Sequence, residues 1–253
     1  VIPHITDEIK GAMLRLADQD SYDVILVEIG GTVGDIESQP YLEAIRQMPY
    51  DVGDEHCLYV HLTLVPYLQA AGELKTKPSQ HSVRALREIG IQPDVLLCRT
   101  EHELSDGHRR KIALFCNVQP DMVFEARDAD DIYRIPLLYA EQGVDRAVIK
   151  RLGLGRTQAR IEDWRALVHK IDTVNRTLKI GVVGKYIELQ DAYKSIYEAL
   201  RHGAIANDVQ LAIDRIDSET LTPETIDQRM EGLGGILIPG GFGQRGIEGK
   251  ILA

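Results

Sequence analysis

The sequence predicts an α/β protein with parallel sheets, divided into two domains of which the second is cut short. Three observations predict it. Short, continuous apolar runs rich in branched residues recur along the chain, as strands covered on both faces require. Helical patterns alternate with them, and strand–helix–strand order implies parallel units with right-handed crossovers. The alternation breaks once, after Arg151, and then restarts.

The first apolar run, Asp23-Val24-Ile25-Leu26-Val27-Glu28, reads as a strand buried on both faces. A helix is expected over 40–47, opened by Pro40, whose fixed φ suits a first helical turn. Further strands are expected over 58–64, 95–98 and 122–125, with helices over 78–89 and 109–115 and a helical stretch from Ile132. Leu152-Gly153-Leu154-Gly155-Arg156-Thr157 is a glycine-punctuated link, followed by a helix over 161–171 with Trp164, Leu167, Val168 and Ile171 on one face. The second set has strands over 178–183, 209–213 and 235–238, and helices over 192–207 and 223–230. No internal repeat is evident.

A length of 253 residues fits one large or two ordinary domains. With 44% hydrophobic and 27% charged residues the chain is not of disordered composition. Its 29 Lys plus Arg against 39 Asp plus Glu leave a net charge of -10, a poor fit to non-specific nucleic-acid binding. Cys57, Cys98 and Cys116 form no C-x-x-C pair and read as reduced, buried thiols of a cytoplasmic protein. No apolar stretch approaches the roughly 18–20 residues that cross a bilayer, so no membrane role is expected. No secretory leader is visible, and a start at Val1-Ile2-Pro3 without Met leads us to expect a fragment.

Several motifs bear chemistry. Glu28 closes the first expected strand and precedes Gly30 and Gly31. A carboxylate beyond a parallel strand could hold Mg²⁺ beside phosphates, although a loop-capping acid is the favoured reading from this residue alone. Asp35 and Glu37, at alternate positions of an extended face, could accept hydrogen bonds from ribose or base groups; acids complementing a helix dipole fit at least equally well. Lys75-Thr76-Lys77 before Pro78 combines two ammonium groups with free N–H donors at a helix start, an anion cradle. A solvated loop is the competing reading. Gly184-Lys185 lacks the spacing of a phosphate-binding loop, because Gly181 is too close and Tyr186 follows the lysine. Gly241-Phe242-Gly243-Gln244-Arg245-Gly246 matches a dinucleotide fingerprint only weakly, but such a turn can offer N–H groups to an oxyanion.

Taken together, these blocks resemble the CTP synthase family, glutamine-dependent amidoligases that convert UTP to CTP. The resemblance rests on residues 27–38, 72–81 and 111–118, and on Gly184-Lys185-Tyr186-Ile187-Glu188-Leu189, Asp191-Ala192-Tyr193-Lys194-Ser195 and Pro239-Gly240-Gly241-Phe242-Gly243. It implies an N-terminally truncated, P-loop-type synthetase domain over 1–151. A linker with a helix over 152–177 and the start of a class I glutaminase-like domain over 178–253 would follow. Glu28 matches the Mg²⁺ ligand. Asp35, Ile36 and Glu37 match a segment that binds UTP or the feedback inhibitor CTP. Lys75, Thr76, Lys77, Pro78, Ser79, Gln80 and Lys111 match the rest of that nucleotide site. Arg127, Asp128 and Ala129 align near ATP, where the family more often has Lys first and Val third. Gly241 matches a glutamine-binding glycine of the oxyanion hole.

The family's P-loop would precede Val1, and its glutaminase Cys, His and Glu would follow Ala253, so no catalytic residue is assigned within the chain. The resemblance further implies ATP as co-substrate with Mg²⁺, GTP as activator and a cytoplasmic homotetramer. Two rivals remain, a catalytically silent CTP/UTP-binding or filament-forming module and a cobyrinate- or dethiobiotin-type amidoligase. The second is not expected to carry the Lys-Thr-Lys-Pro block.

Overall fold

The computed structural model describes residues 2–17, 22–155 and 159–253. The chain divides into two compact units, Val1–Ile161 and Glu162–Ala253. In the first, β1 (Val60–Leu64), β4 (Val95–Thr100) and β5 (Val123–Arg127) form a parallel sheet in the order β1-β4-β5. Val60 pairs with Val95 and Leu96 with Val123. A short antiparallel hairpin, β2 (Tyr67–Leu68) and β3 (Glu73–Leu74), follows β1; its two-residue strands carry no periodic signal. The helices are α1 (His4–Ala17), α2 (Gln39–Val52), α3 (Lys77–Glu88), α4 (Asp106–Cys116), α5 (Ile135–Gln142) and α6 (Val144–Arg151). Val83 of α3 and Ile112 and Cys116 of α4 pack with Val65, Leu96, Cys98 and Val123 in one core. Each fully buried aliphatic side chain there contributes roughly 1.5–3 kcal/mol of transfer free energy.

One expected strand is absent. Residues 23–28 run as irregular chain, with Leu26 93% exposed. An apolar run becomes a strand only where backbone partners complete a ladder, and among the described residues nothing pairs with this one. The edge strand β1 likewise leaves Leu62 and Leu64 exposed.

Helix α2 runs past its expected end, through Pro49 to Val52. Proline has no N–H, so the Ile45 carbonyl loses its helical donor. Tyr59 replaces that donor, its Oη donating to Ile45 O at 2.6 Å. Burial, with Cys57, Asp54 and Asp94 nearby, pushes the Tyr59 phenol up to about 12, which keeps it a proton donor. The helical stretch from Ile132 is split, because Gly143 adopts a left-handed conformation between α5 and α6.

In the second unit β6 (Thr177–Gly184), β7 (Gln210–Asp217) and β8 (Gly235–Leu237) form a parallel sheet in the order β7-β6-β8. The helices are α7 (Glu162–Thr173), α8 (Lys194–Ala206), α9 (Ile226–Met230) and α10 (Ile247–Leu252). Val183, Ile216 and Leu221 form the core, with Ile226, Met230 and Leu233 against it. Of the apolar face expected on α7, Val168 is buried while Trp164 stays 37% exposed. Lys170 ties α7 to Asp208 at 3.1 Å. Arg156 and Thr157 of the expected link lie outside the described residues. No helix among the described residues is long and apolar enough to cross a membrane.

Tyr59→Phe removes the donor that replaces the missing proline N–H. We expect a stability loss of about 1–3 kcal/mol, the cost of an unsatisfied carbonyl, read as a lower denaturation midpoint at constant m value.

Candidate functional site

All three strands of the first sheet end on the same edge, at Leu64, Thr100 and Arg127. Beyond the carboxyl ends of parallel strands is where an open sheet leaves a crevice for ligands. Lys75, Thr76, Lys77, Pro78, Ser79 and Gln80 follow β1 through the hairpin and start α3 there. The buried hydroxyl of Ser79 donates to Leu64 O at 2.9 Å, tying the first turn of α3 to the end of β1. Thr76 is also buried, and its Oγ1 accepts from Gln80 Nε2 at 3.1 Å. These two hydroxyls hold the loop, whereas Lys77 is exposed at the helix start.

Lys75 is ion-paired with Glu73 on the hairpin. Lys75 above all, then Lys111 and His108 on α4, hold the Glu73 carboxyl below the usual carboxylate range. Lys75 pairs directly with Glu73, whereas Lys111, 36 positions on and expected in the same nucleotide site, acts on that carboxylate only through its charge. Sequence reasoning missed Glu73 as the counter-ion of Lys75; its place in the Gly72–Lys77 block was the available signal.

Beyond β5, the Arg127 guanidinium forks onto Glu125 Oε1 at 2.8 and 2.7 Å. Asp128 Oδ1 accepts from Arg99 Nε at 2.8 Å, and Ala129 continues the same loop. A cavity of about 300 Å³ opens beside them, lined by Arg109, Glu125, Arg127, Leu138 and Tyr139 among others.

The acidic candidates are arranged differently from the sequence expectation. A 3₁₀ turn spans Ile36–Ser38, so Asp35 and Glu37 do not run along an extended face. Asp35 Oδ2 accepts from Thr32 N at 2.7 Å and closes its own loop, while Ile36 and Glu37 are exposed. Glu28 is exposed on irregular chain, no longer the end of a strand. No hydrogen bond or ion pair among the described residues joins Glu28, Asp35 or Glu37 to the lysine run. Nor do the described residues hold a group of three or more His, Cys, Asp and Glu able to bind a metal. Mg²⁺ takes only one or two protein carboxylates beside waters and phosphate oxygens, so a single exposed Glu28 fits as one such ligand.

The cysteines are not poised as nucleophiles. Burial pushes Cys98 up to about 12 and Cys116 to about 11, and raises Cys57 as well. In the second unit Gly241 is exposed in the loop between β8 and α10. Lys185, rejected as a phosphate-loop lysine, turns its ammonium onto the Phe242 carbonyl of that loop.

With this geometry in place, the comparisons with known proteins are specific. The family model described as CTP synthase N-terminus matches residues 1–154. A CTP synthase of Nitratidesulfovibrio vulgaris (strain DSM 19637 / Miyazaki F) is 55% identical over 251 residues, 99% of this chain and 46% of that protein. One from Moorella thermoacetica is 54% identical over 253 residues, covering 100% of this chain and 47% of its own length. One from Clostridium perfringens (strain SM101 / Type A) is 52% identical with the same coverage. The chain thus spans a little under half the length of the curated relatives it matches.

Glu73→Gln releases Lys75 from its internal partner. An ion pair in water is weak and exchanges readily, so we expect inorganic tripolyphosphate to bind modestly tighter, by about twofold to fivefold in calorimetry. Adding Lys75→Ala to Glu73→Gln cancels the gain.

Proposed function

The chain belongs to the CTP synthase family, and from that premise we propose that the protein takes part in the ATP-dependent amination of UTP to CTP with ammonia from glutamine. The observation that supports this most is that Lys75 and Lys77 flank the start of α3, beyond the carboxyl end of β1. UTP and CTP carry about four negative charges near neutrality, and in a chain of net charge -10 positive charge must be supplied locally. Lys75, Lys77 and Lys111 supply it. Thr76 and Ser79 fix the loop through their hydroxyls, and Pro78 and Gln80 complete the first turn of α3. Asp35, Ile36 and Glu37 contribute to the pyrimidine side of the same site.

Arg127, Asp128 and Ala129 lie near ATP, and Gly241 binds glutamine. Glu28 would hold Mg²⁺ as its protein carboxylate, and the ion would supply positive charge to the nucleotide phosphates. We assign 1–151 to the synthetase domain, 152–177 to a linker with a helix, and 178–253 to the start of a class I glutaminase-like domain. The whole protein is a cytoplasmic homotetramer in this reading, with GTP as activator.

The decisive experiment uses a polypeptide of the relatives' full length, checked for assembly. Lys75→Ala and Lys77→Ala should each weaken UTP and CTP together by about 10- to 150-fold, the worth of one charge-assisted contact at roughly 1.5–3 kcal/mol. ATP affinity should change less, and added salt should narrow the gap. Unchanged UTP affinity in both variants returns the loop to a solvated turn. Binding without turnover in the unmutated protein assigns a silent regulatory module instead.

Glu28→Gln tests the metal reading separately. Its side chain is exposed, so thermal melting should hold while Mg²⁺-dependent nucleotide binding and ligation fall away. Ligation at the unmutated rate, or an unfolded variant, makes the acid structural.

A further inference from the structure

The loop after β8 is held from beneath by two lysines that come from different elements. Lys185 directly follows β6 and is only 8% exposed, and its ammonium donates to the carbonyl of Phe242. Lys250 of α10 donates to the carbonyl of Pro239 at 2.7 Å. The two ammonium groups meet under one residue. A methyl group placed at Gly241 would lie 3.2 Å from Lys185 Cε, 3.7 Å from Lys250 Nζ and 3.8 Å from Lys185 Nζ. Neither lysine has a carboxylate partner among the described residues; their polar partners are backbone carbonyls.

In a trans peptide the C=O and N–H point in opposite directions. Holding Pro239 O and Phe242 O inward therefore turns the N–H groups of Gly240 and Gly243 outward. No backbone acceptor among the described residues takes a hydrogen bond from residues 240–243. The loop presents free donors on its outer face and two positive charges below.

We infer that Lys185 and Lys250 are positioning residues that lock this loop as a preformed oxyanion site, facing the amide of glutamine. The inference rests on the glutamine-dependent reading above. When a thiolate adds to the glutamine amide carbon, a C–S bond forms and the carbonyl π pair moves onto oxygen. Donors fixed beforehand stabilise that oxygen without reorganisation. A side chain at 241 would press on Lys185, whose Cε would lie 3.2 Å from the added carbon, and would have to push the clamp aside by a few tenths of an ångström.

Two measurements test the clamp. In the 253-residue chain, Lys185→Met and Lys250→Met should each speed hydrogen exchange of peptides covering 239–246 at least about tenfold, with β6 and β7 unchanged. In a polypeptide of the relatives' full length, each should lower kcat for glutamine hydrolysis about 10- to 100-fold while KM stays within about twofold. Lys250→Arg, which keeps the donor, should restore much of the rate. If Lys185→Met loosens β6 as well, Lys250→Met decides alone. Unchanged loop exchange, or a KM effect without a kcat effect, overturns the clamp. An unmutated full-length protein without glutaminase activity overturns the functional reading instead, and the exchange experiment still decides the clamp.

Discussion

The architecture of the first unit hangs on one buried carboxylate, Glu125, set within the outermost strand of its sheet. Its Oε2 accepts from Leu104 N at 2.6 Å, and its Oε1 takes the Arg127 fork. The backbone of the same residue is closed off by Gln142, whose amide donates to Glu125 O and accepts from Glu125 N, both at 2.8 Å. A side-chain amide thus stands where a further strand would pair, which satisfies the exposed edge of β5. Burying a charge is costly unless it is paired and hydrogen-bonded. Glu125 meets that condition only if β5, the loop before α4 and α5 hold their places together. Arg109 strengthens the same knot by donating to Leu104 O at 3.2 Å and Val123 O at 2.9 Å. The candidate site inherits its geometry from this knot, because α4 carries Lys111 and β5 carries Arg127.

What was legible in the sequence follows from what needs only local information. Buried parallel strands are unbroken apolar runs, so β1, β4, β5, β6, β7 and β8 could be found within a few residues of their ends. Helix starts at Pro40 and Pro78 were equally legible, because a proline in the first turn is a property of the chain itself. The run over 23–28 has the same composition as the true strands, yet a strand exists only in a ladder, and composition does not report partners. Pro49 would end a helix on local grounds. The helix continues because a tyrosine distant in sequence supplies the missing donor.

The candidate site divides in the same way. The residue types of the Lys75–Gln80 block were readable, as was the glycine turn around Gly241. Their electrostatic partners were not. Nothing in the sequence announces that Lys75 pairs with Glu73, or that Lys185 and Lys250 meet under a glycine. Asp35 and Glu37 show the opposite error: alternate spacing implied a shared face, but a 3₁₀ turn and an internal hydrogen bond from Thr32 use the first acid to shape its own loop.

The two lysine clusters are built on opposite physical terms. Lys75 and its carboxylate partner are both partly in water, where such a pair is weak and exchanges readily. An incoming polyanion can displace Glu73 from Lys75 without unfolding anything. Lys185 is buried against a backbone carbonyl, which can neither leave nor neutralise it. Its charge is therefore fixed in place, and displacing it would break a hydrogen bond from a charged donor, worth roughly 1.5–3 kcal/mol. Exchange of partners belongs to a binding site, and fixed polarity belongs to a site that must be ready before charge develops. The same residue type is thus given two different behaviours by burial and by the choice between a carboxylate and a carbonyl partner.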